Sequence, residues 1–218
     1  MWWSTLRAGV AVMVVTVAWG VGGLAPAADD DGFTPLFNGK DLTGFKTILK
    51  GDGDPAKTWT VRDGVIICSG SPAGYFYTDK SYKNYVLRFD WRYARPANLA
   101  DDKAFKGNSG LLVHIQGEHK VWPRCVEVQG MNADHGRIFA IGGAKGQYTV
   151  NKEAQAKAIK PVGEWNTTEV ICKDGEITSK VNGIEVSTGK GELTEGPIGW
   201  QSEGAEIHFR NIRIKELK

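Results

Sequence analysis

The chain has 218 residues, and its 27 Lys and Arg residues nearly balance its 25 Asp and Glu residues, which leaves a formal net charge of +2. A balance so close to zero supplies neither the basic surface that nucleic acids require nor a polybasic patch that would hold a membrane surface. Composition therefore excludes nucleic-acid binding and favours neutral or weakly charged partners.

Residues 1–28 have the layout of a secretory signal peptide. Arg7 is their only charged residue, an apolar run covers residues 8–24, and Ala25-Pro26-Ala27-Ala28 offers small residues for cleavage. The alternative is an uncleaved membrane anchor, but the run is short for a spanning helix and is interrupted by glycines. We therefore expect an exported protein, periplasmic or extracellular, with no stable membrane insertion after cleavage and one folded domain over residues 29–218.

Three cysteines, Cys68, Cys125 and Cys172, lie far apart in the sequence. In an exported protein they permit at most one disulfide, and the sequence leaves open which two would pair. No CxxC pair is present, so a zinc site is not indicated. The favoured interpretation is that all three are small buried residues.

Three two-residue signals predict tight hairpins. Asp63-Gly64, Asp174-Gly175 and Asn182-Gly183 each separate two strand-like runs. Such dipeptides supply the backbone conformations that two-residue hairpin turns need. The last two signals together predict a three-stranded meander between residues 168 and 186.

Two segments alternate clearly between apolar and polar residues. Residues 85–93 place five large apolar side chains on one face and charged side chains on the other, which predicts a strand with one buried face. Residues 207–217 alternate in the same way, with a one-residue slip near Asn211 that predicts a β-bulge.

Two further predicted strands, residues 108–116 and residues 125–129, carry polar side chains at alternate positions. Strict alternation assigns to their polar faces Leu112, His114 and Gln116 on the first strand, and Cys125, Glu127 and Gln129 on the second. If the strands are neighbours, an imidazole, a carboxylate and an amide meet on one sheet surface. Such a surface suits a sugar.

Helical periodicity is nearly absent from the chain. The best candidate, residues 151–159, is short and lies within a long connection between residues 142 and 163. A second long connection covers residues 95–107, and connections of this length tend to form functional rims or lids. Many short strands with glycine-rich turns predict an all-β sandwich of two antiparallel sheets with little helix.

Seven segments, in order along nearly the whole mature chain, carry a family resemblance. They are FTPLFNGKDLTGF (33–45), WTVRDGVI (59–66), NSGL (108–111), EVQ (127–129), KPVGEWN (160–166), GPIGWQ (196–201) and FRNIRIKEL (209–217). Their joint occurrence resembles the 3-keto-disaccharide hydrolase domain family of exported bacterial proteins. The chain departs from the family pattern at His114, where an Arg is common, and at Glu203-Gly204, where His-Gly is frequent.

The resemblance implies a concanavalin A-like jelly-roll sandwich and a substrate class, glycosides oxidised to a ketone at sugar carbon 3. The ketone makes the hydrogen on carbon 2 acidic, so that a base can remove it and form an enolate. The enolate then expels the aglycone from carbon 1, and water can add afterwards. Such a reaction needs a base, a group that stabilises the enolate and a donor for the leaving oxygen.

The residues assigned to these roles come from the polar strands and loops of the chain. The catalytic candidates are Glu127 and His135 as alternative bases, and Arg92 and His114 as alternative stabilisers of the enolate. The substrate-binding candidates are Asn108, Gln129 and Gln201 for sugar hydroxyls, and Trp122 and Tyr148 for stacking on sugar rings. In a non-catalytic glycan-binding module, Trp200 is a further stacking candidate.

Each assignment has a structural alternative. Glu127 and Gln129 are equally explained as the solvated face of a half-buried strand. His114 is equally explained as a satisfied, partly buried histidine, whereas the position of His135 in a Gly-flanked polar loop favours function. Arg92 can belong to a row of ion pairs along its strand.

The sequence contains no phosphate loop, dinucleotide fingerprint or HExxH motif. No cofactor is therefore predicted, and a divalent metal is left open. The Glu-x-Asp-x-x-Glu signature of jelly-roll endoglycanases is also missing, which counts against a conventional retaining glycosidase. The predicted function is cleavage of 3-keto-glycosides, by hydrolysis or elimination. The alternative is a non-catalytic glycan-binding module of the same fold.

Overall fold

The structure is a computed structural model that describes Met1 and residues 31–218. Apart from Met1, the predicted signal peptide lies outside the described residues, and export stays a prediction. Within the part of the chain that is described, no helix is long and apolar enough to cross a membrane.

The described chain is built almost entirely from β-strands. The strands are β1 (Thr34–Pro35), β2 (Phe45–Leu49), β3 (Trp59–Arg62), β4 (Val65–Cys68), β5 (Gly74–Thr78), β6 (Tyr85–Tyr93), β7 (Gly110–Gln116), β8 (Arg124–Gln129), β9 (Ile138–Ile141), β10 (Gly146–Val150), β11 (Asn166–Lys173), β12 (Glu176–Val181), β13 (Ile184–Gly191), β14 (Gly199–Ser202) and β15 (Ile207–Glu216). The helices are α1 (Pro55–Thr58) and α2 (Lys152–Ala158), with single 3-10 turns at Asp102–Ala104 and Asn132–Asp134.

The strands form two antiparallel sheets. The nine-stranded sheet has the order β10-β13-β12-β11-β6-β15-β4-β3, with β1 beside β15, and the six-stranded sheet has the order β2-β5-β14-β7-β8-β9. The predicted all-β sandwich of two antiparallel sheets is confirmed, and so is the helix predicted between residues 151 and 159.

The three predicted hairpins are all present. Strands β3 and β4 pair around Asp63-Gly64, and strands β11, β12 and β13 form the predicted meander. The first residue of each turn has a positive φ, 52° at Asp63, 48° at Asp174 and 49° at Asn182. This is the left-handed conformation that Asn and Asp tolerate best among residues with side chains, so the local sequence determines these turns.

The core lies between the inner faces of the two sheets. Trp200 of the six-stranded sheet stacks on Phe76 at 5.2 Å between ring centroids and meets Phe89 of the nine-stranded sheet edge-on at 6.0 Å. Trp200 is fully buried, so it packs the core and is closed to a sugar. All three cysteines are buried and unpaired, as the favoured interpretation predicted.

The alternation predicted for β6 and β15 is also confirmed. Buried and partly exposed residues alternate along all of β6. The register of β15 against β6 shifts between Arg210 and Arg213. Asn211 has a φ of 53° at this point, so the predicted bulge is present.

Candidate active site

The outer face of the six-stranded sheet carries the polar side chains predicted on β8. Val126 and Val128 point into the core, whereas Cys125 joins a separate cluster on the opposite face with Leu112 and Tyr75. Glu127 has the same orientation as Cys125 because residues two apart on a strand share a face. It stands beside Leu112 of β7 on one side and beside β9 on the other.

The surroundings of Gly110 explain why the NSGL segment has a glycine at this position. A methyl group added at Gly110 would collide with the amide oxygen of Gln201 and would lie 2.6 Å from Oε1 of Glu127. The Glu127 carboxyl and the Gln201 amide therefore meet directly above Gly110. Ser109 faces the other way, and its hydroxyl donates to the Gln201 carbonyl at 2.9 Å, which ties β7 to β14.

Glu127 is a buried carboxyl without a cationic partner. It is only 5% exposed, and none of the ion pairs formed by residues 31–218 includes it. Burial, followed by the nearby negative charge of Glu203, raises the pKa of the Glu127 carboxyl from 4.5 to about 7. The Gln201 amide and the more distant Arg137 guanidinium oppose part of this rise. Glu127 can therefore both donate and accept a proton near neutral pH.

Glu203 lies two residues after Gln201 and so shares its face of the sheet. It forms an isolated antiparallel bridge with Asn108, which precedes β7. Burial raises the pKa of the Glu203 carboxyl, and a hydrogen bond with the Asn108 side chain opposes part of that rise. Two carboxyls with raised pKa values thus stand at one end of this sheet face.

The amides beside these carboxyls are not fully satisfied. Within the described part of the chain, neither amide atom of the fully buried Gln201 makes a well-aligned hydrogen bond, and the same holds for Oδ1 of Asn108. A buried polar atom without a partner is unfavourable, so such atoms usually mark a place where water or a ligand supplies the missing bond. Amide groups of this kind suit the hydroxyls of a sugar.

A cavity of about 540 Å³ lies beyond the end of β14, where Gly204 and Ala205 line it. It lies between the 95–107 connection and the turn after β14, and Lys106, Gly107 and Gly204 are among its lining residues. Its volume is typical of small-molecule sites. The prediction that the long polar connection borders a site therefore has a cavity to support it.

His135 does not lie on the Glu127 face, so the structure does not bring these two alternative bases together. The His135 ring stacks on Trp91 of the nine-stranded sheet at 3.8 Å, between the two sheets. After β8 the chain passes through the 3-10 turn at 132–134 and turns inward. Sequence could not predict this direction, because it depends on the space that Trp91 and Thr168 leave.

The hydrogen bonds of His135 are those of a neutral structural histidine. Trp91 donates to the Thr168 hydroxyl at 2.9 Å, so the single hydroxyl proton of Thr168 is free to point at Nε2 of His135, also 2.9 Å away. Nδ1 then donates to the Gly130 carbonyl at 3.3 Å. Burial lowers the pKa of the imidazole to about 3, so it stays uncharged at neutral pH.

His114 is also in the interior, and its predicted position beside Leu112 is wrong. The register of β7 against β8 shifts between Val113 and Gln116, and His114 has a φ of 55°. This bulge turns the imidazole inward, where Nδ1 lies 3.1 Å from the Leu193 carbonyl. Burial lowers its pKa to about 4. Ile115 takes the outer face instead, beside Leu112.

Arg92 lies on the outer face of the other sheet, on the opposite side of the sandwich from Glu127. Its Nε is 3.3 Å from Nδ1 of His208, and its guanidinium lies 4.6 Å from the centre of the Trp165 ring. The structure does not bring Arg92 to the Glu127 site. Arg92 also forms none of the ion pairs of residues 31–218, so the alternative of a row of ion pairs along β6 does not describe it either.

The remaining substrate-binding candidates are dispersed. Gln129 shares the Glu127 face, but its Oε1 accepts from the Met131 backbone at 2.8 Å and shapes the following turn. Tyr148 lies on the edge strand β10, where its ring packs against Gly189 of β13 and against the core. Trp122 is 46% exposed in the β7–β8 connection. No finding tests the roles predicted for these residues.

Sequence reasoning named Glu203 only as a departure from the family pattern, and it assigned no role to Glu203 or to the aromatic side chains at the other end of this face. His119 stacks on Tyr77 at 4.4 Å, and its Nδ1 lies 3.3 Å from the Tyr75 hydroxyl. The β7–β8 connection is thereby held against the sheet. The sequence did contain a signal for Glu203. It lies two residues after Gln201, and residues two apart on a strand share a face. Among residues 31–218, no three His, Cys, Asp or Glu side chains are grouped so that they could hold a metal ion.

Comparison with known proteins agrees with this fold. Residues 32–215 match the model of the 3-keto-alpha-glucoside-1,2-lyase-like domain. The chain is 25% identical to a 3-keto-disaccharide hydrolase of Bacteroides thetaiotaomicron, over 87% of this chain and 80% of that protein. These matches confirm the family resemblance drawn from the sequence.

Solved structures give the same result for the fold. A "putative glycosyl hydrolase" from Parabacteroides distasonis superposes with a TM-score of 0.61 at 28% identity, over 86% of this chain and 94% of that one. The β-glucanase of Bacillus licheniformis superposes with a TM-score of 0.53 at 11% identity, over 85% and 97%. The second likeness concerns the fold alone, and it agrees with the predicted jelly-roll sandwich.

Proposed function

Because the chain belongs to the 3-keto-alpha-glucoside-1,2-lyase-like domain family, we propose that it is a glycoside-cleaving enzyme that acts on 3-keto-glycosides, with Glu127 as a proton-transferring group. The name of the Bacteroides relative, a 3-keto-disaccharide hydrolase, supports hydrolysis of a disaccharide as the net reaction. Elimination of the aglycone is the proposed route to that product.

The observation that carries the proposal is the state of Glu127. Its pKa of about 7 makes it an effective acid or base near neutral pH, because a catalytic group works best when its pKa lies close to the working pH. A perturbed carboxyl without an ion-pair partner, beside amides that lack partners, is the pattern expected of a functional site. A purely solvated strand face would leave Glu127 exposed, with an ordinary pKa.

The proposed chemistry needs only proton transfers and hydrogen bonds from these side chains. Removal of the proton on carbon 2 sends its electron pair toward the ketone and gives an enolate. The Nε2–H group of Gln201, which makes no well-aligned hydrogen bond within the described residues, can donate a hydrogen bond to that oxygen. The enolate then re-forms the ketone as the bond between carbon 1 and the glycosidic oxygen breaks, and the leaving oxygen takes a proton.

Water can complete the reaction by adding to the resulting double bond. Its hydroxyl joins carbon 1 and a proton returns to carbon 2, so the sum of the two stages is hydrolysis. Release of the unsaturated ketone before water adds would make the protein a lyase. We assign the part of the substrate that extends beyond the reacting sugar to the cavity lined by Gly204, the residue that follows Glu203.

Cleavage of a 3-keto-disaccharide by the purified protein tests the proposal, with products separated by chromatography and with divalent metal either added or removed. Glu127→Gln keeps the shape of the side chain and removes its acid–base function. We expect kcat/KM to fall by roughly 10²- to 10⁴-fold, the usual contribution of one general acid or base. Glu169→Gln is the matched control, because Glu169 lies on the outer face of the other sheet.

No cleavage by the unchanged protein, with or without metal, would contradict the proposal. If the protein instead bound unoxidised glycans, and if this binding were insensitive to Glu127→Gln, the glycan-binding alternative would be favoured. Calorimetric titration with such glycans measures that outcome directly.

A further inference from the structure

Glu203 is the one other carboxyl that the structure brings to the Glu127 site among the described residues. It follows Gln201 by two residues, and side chains two residues apart on a strand point to the same face of the sheet. Glu203 therefore points to the same face as the Gln201 amide. Its bridge with Asn108 lies three residues beyond the Trp200–Leu111 pair on each strand, and it continues the same antiparallel register of β14 against β7. The position of Glu203 is therefore fixed by two strands and does not depend on a free loop.

The contacts of Glu203 differ from those of a surface glutamate. Among residues 31–218 its carboxyl forms no ion pair, and only the Asn108 side chain opposes the rise of its pKa that burial causes. It is close enough to Glu127 for its charge to raise the pKa of that carboxyl. Two carboxyls that interact in this way do not ionise independently, because the negative charge of one raises the pKa of the other.

We propose that Glu203 and Glu127 act as a pair, in which Glu203 removes the proton from carbon 2 of the 3-keto sugar and Glu127 protonates the leaving glycosidic oxygen. This assignment rests on the proposed function and names the two proton-transferring groups within it. Glu203 is the base because it is the more exposed of the two carboxyls and therefore gives up its proton first. Glu127, nearly buried, retains the proton that the leaving group needs.

The proton balance closes over the two stages of the reaction. In the elimination, the Glu203 carboxylate gains the proton of carbon 2, and Glu127 gives its proton to the oxygen that leaves carbon 1. In the addition, the Glu127 carboxylate takes a proton from the water that attacks carbon 1, and Glu203 returns its proton to carbon 2. Both carboxyls end as they began, so no other proton carrier is needed.

The charged and titratable groups around the pair are few. Arg137 acts on Glu127 from the chain before β9, but its guanidinium is held by Asp134 at 3.0 Å and over Phe139. The Cys125 thiol lies beside Glu127 on the same strand, and burial raises its pKa. The Tyr93 hydroxyl is buried in the core, where it donates to the Gly130 carbonyl, and burial raises its pKa, with the charge of Glu203 as a lesser cause. None of these groups supplies a second carboxylate or a free base.

Hydrogen exchange at carbon 2 separates the two roles. A 3-keto-glucoside is incubated in D₂O with each variant, and the loss of the carbon 2 proton is followed by NMR beside the release of aglycone. Glu203→Gln should lose both exchange and cleavage by roughly 10²-fold or more, because the base is missing. Glu127→Gln should keep exchange and lose cleavage, because the enolate still forms but its leaving group is not protonated.

The leaving group provides a second, independent measurement. A nitrophenyl aglycone needs little protonation, so it should restore most of the activity of Glu127→Gln relative to an alkyl aglycone, and it should not restore Glu203→Gln. Glu203→Asp retains a carboxylate and is expected to keep measurable exchange, and Glu169→Gln should behave as the unchanged protein. Unfolding curves of every variant establish that each is folded.

The outcomes distinguish the two proposals. If the unchanged protein neither exchanges nor cleaves, the proposed function fails. If it cleaves while folded Glu203→Gln exchanges at the unchanged rate, the pairing of Glu203 with Glu127 is overturned and the function stands. Loss of exchange in Glu127→Gln, with exchange retained in Glu203→Gln, would reverse the two roles and also overturn the assignment.

Discussion

The two outer faces of the sandwich each carry a glutamate on an interior strand, and they shift the pKa of its carboxyl in opposite directions. On the nine-stranded sheet, Glu169 lies 2.6 Å from Arg88 and 3.3 Å from Lys180. These partners lower the pKa of the Glu169 carboxyl and outweigh the effect of its partial burial. On the six-stranded sheet, Glu127 has no ion pair among the described residues, and its pKa rises to about 7.

The difference shows that strand alternation does not identify a reactive carboxyl. Both glutamates occupy alternate positions of interior strands, so their sequence patterns look alike. What separates them is whether a cation is provided on the neighbouring strand. A carboxyl neutralised by a guanidinium is a poor proton carrier near neutral pH, whereas a buried carboxyl without such a partner is suited to acid–base chemistry.

The substitution with the largest expected effect on this comparison is Gly110→Ala. The added methyl group would collide with the Gln201 amide and press on Glu127, so both side chains must move from their present positions. We expect activity on a 3-keto-disaccharide to fall on the order of 10³-fold, because displacing even one reacting group by about 1 Å costs roughly 10²-fold. Steady-state kinetics on the purified variant measures the loss.

Gly110→Ala should leave the outer face of the nine-stranded sheet unchanged. Gly110 lies on β7 of the other sheet, so the Arg88–Glu169 pair and its contribution to stability should be unaltered. The free energy of unfolding of Gly110→Ala is expected to decrease by about 1–3 kcal/mol, the usual effect of overpacking. Unchanged activity in the folded variant would mean that the reaction does not use the surface above Gly110.

Most of the fold could be predicted from local sequence. Asp63-Gly64 and the two later turn signals determine their hairpins within four residues, and the alternation of residues 85–93 requires only a strand with one buried face. Such features are local because the turn conformation and the pleat depend on neighbours along the chain. The order of strands within each sheet depends on distant contacts, and the family resemblance indicated the architecture.

The site was predictable only in part, and the errors have two physical causes. At His114 a bulge adds one residue to β7, and a slip of one residue moves a side chain to the other face of the sheet. At His135 the loop direction depends on Trp91 and Thr168 of the other sheet. Glu127 was placed correctly because β8 pairs with β9 without a register shift, so residues two apart on β8 keep the same face.

The second test concerns the stability of the protein as a function of pH. The pKa of Glu127 is 4.5 when unfolded and about 7 when folded, so the folded state binds its proton more tightly. The stability that this proton contributes is fully present below pH 4.5 and is lost as the pH rises through about 7. The predicted loss is on the order of 3 kcal/mol, since each tenfold difference in proton affinity between the two states corresponds to about 1.4 kcal/mol.

Glu127→Gln removes this loss because an amide does not ionise. Urea unfolding at several pH values should show that the variant gains stability relative to the unchanged protein between pH 4.5 and a pH above about 7. A constant difference across this range would show that Glu127 titrates normally, and the contrast between the two faces would then disappear.

The substitution with the smallest expected effect is Glu169→Gln on the opposite face. Its effect on stability depends on pH in the opposite direction from that of Glu127→Gln. The folded-state pKa of Glu169 is lowered, so the stability contributed by its charge is present above pH 4.5 and is lost as the pH falls through the lowered value. Glu169→Gln should therefore destabilise the protein at neutral pH and have little effect in acid. We expect about 1 kcal/mol, because the pairs with Arg88 and Lys180 remain accessible to water.

Ionic strength separates the two faces further. Salt screens exposed pairs strongly and buried groups weakly, so the effect of Glu169→Gln should shrink at high salt while that of Glu127→Gln persists. Urea unfolding of both variants at low and high ionic strength measures this. If both effects decreased in parallel, Glu127 would be as accessible to ions as Glu169. Burial would then no longer explain its raised pKa, and Glu203 would become the main cause.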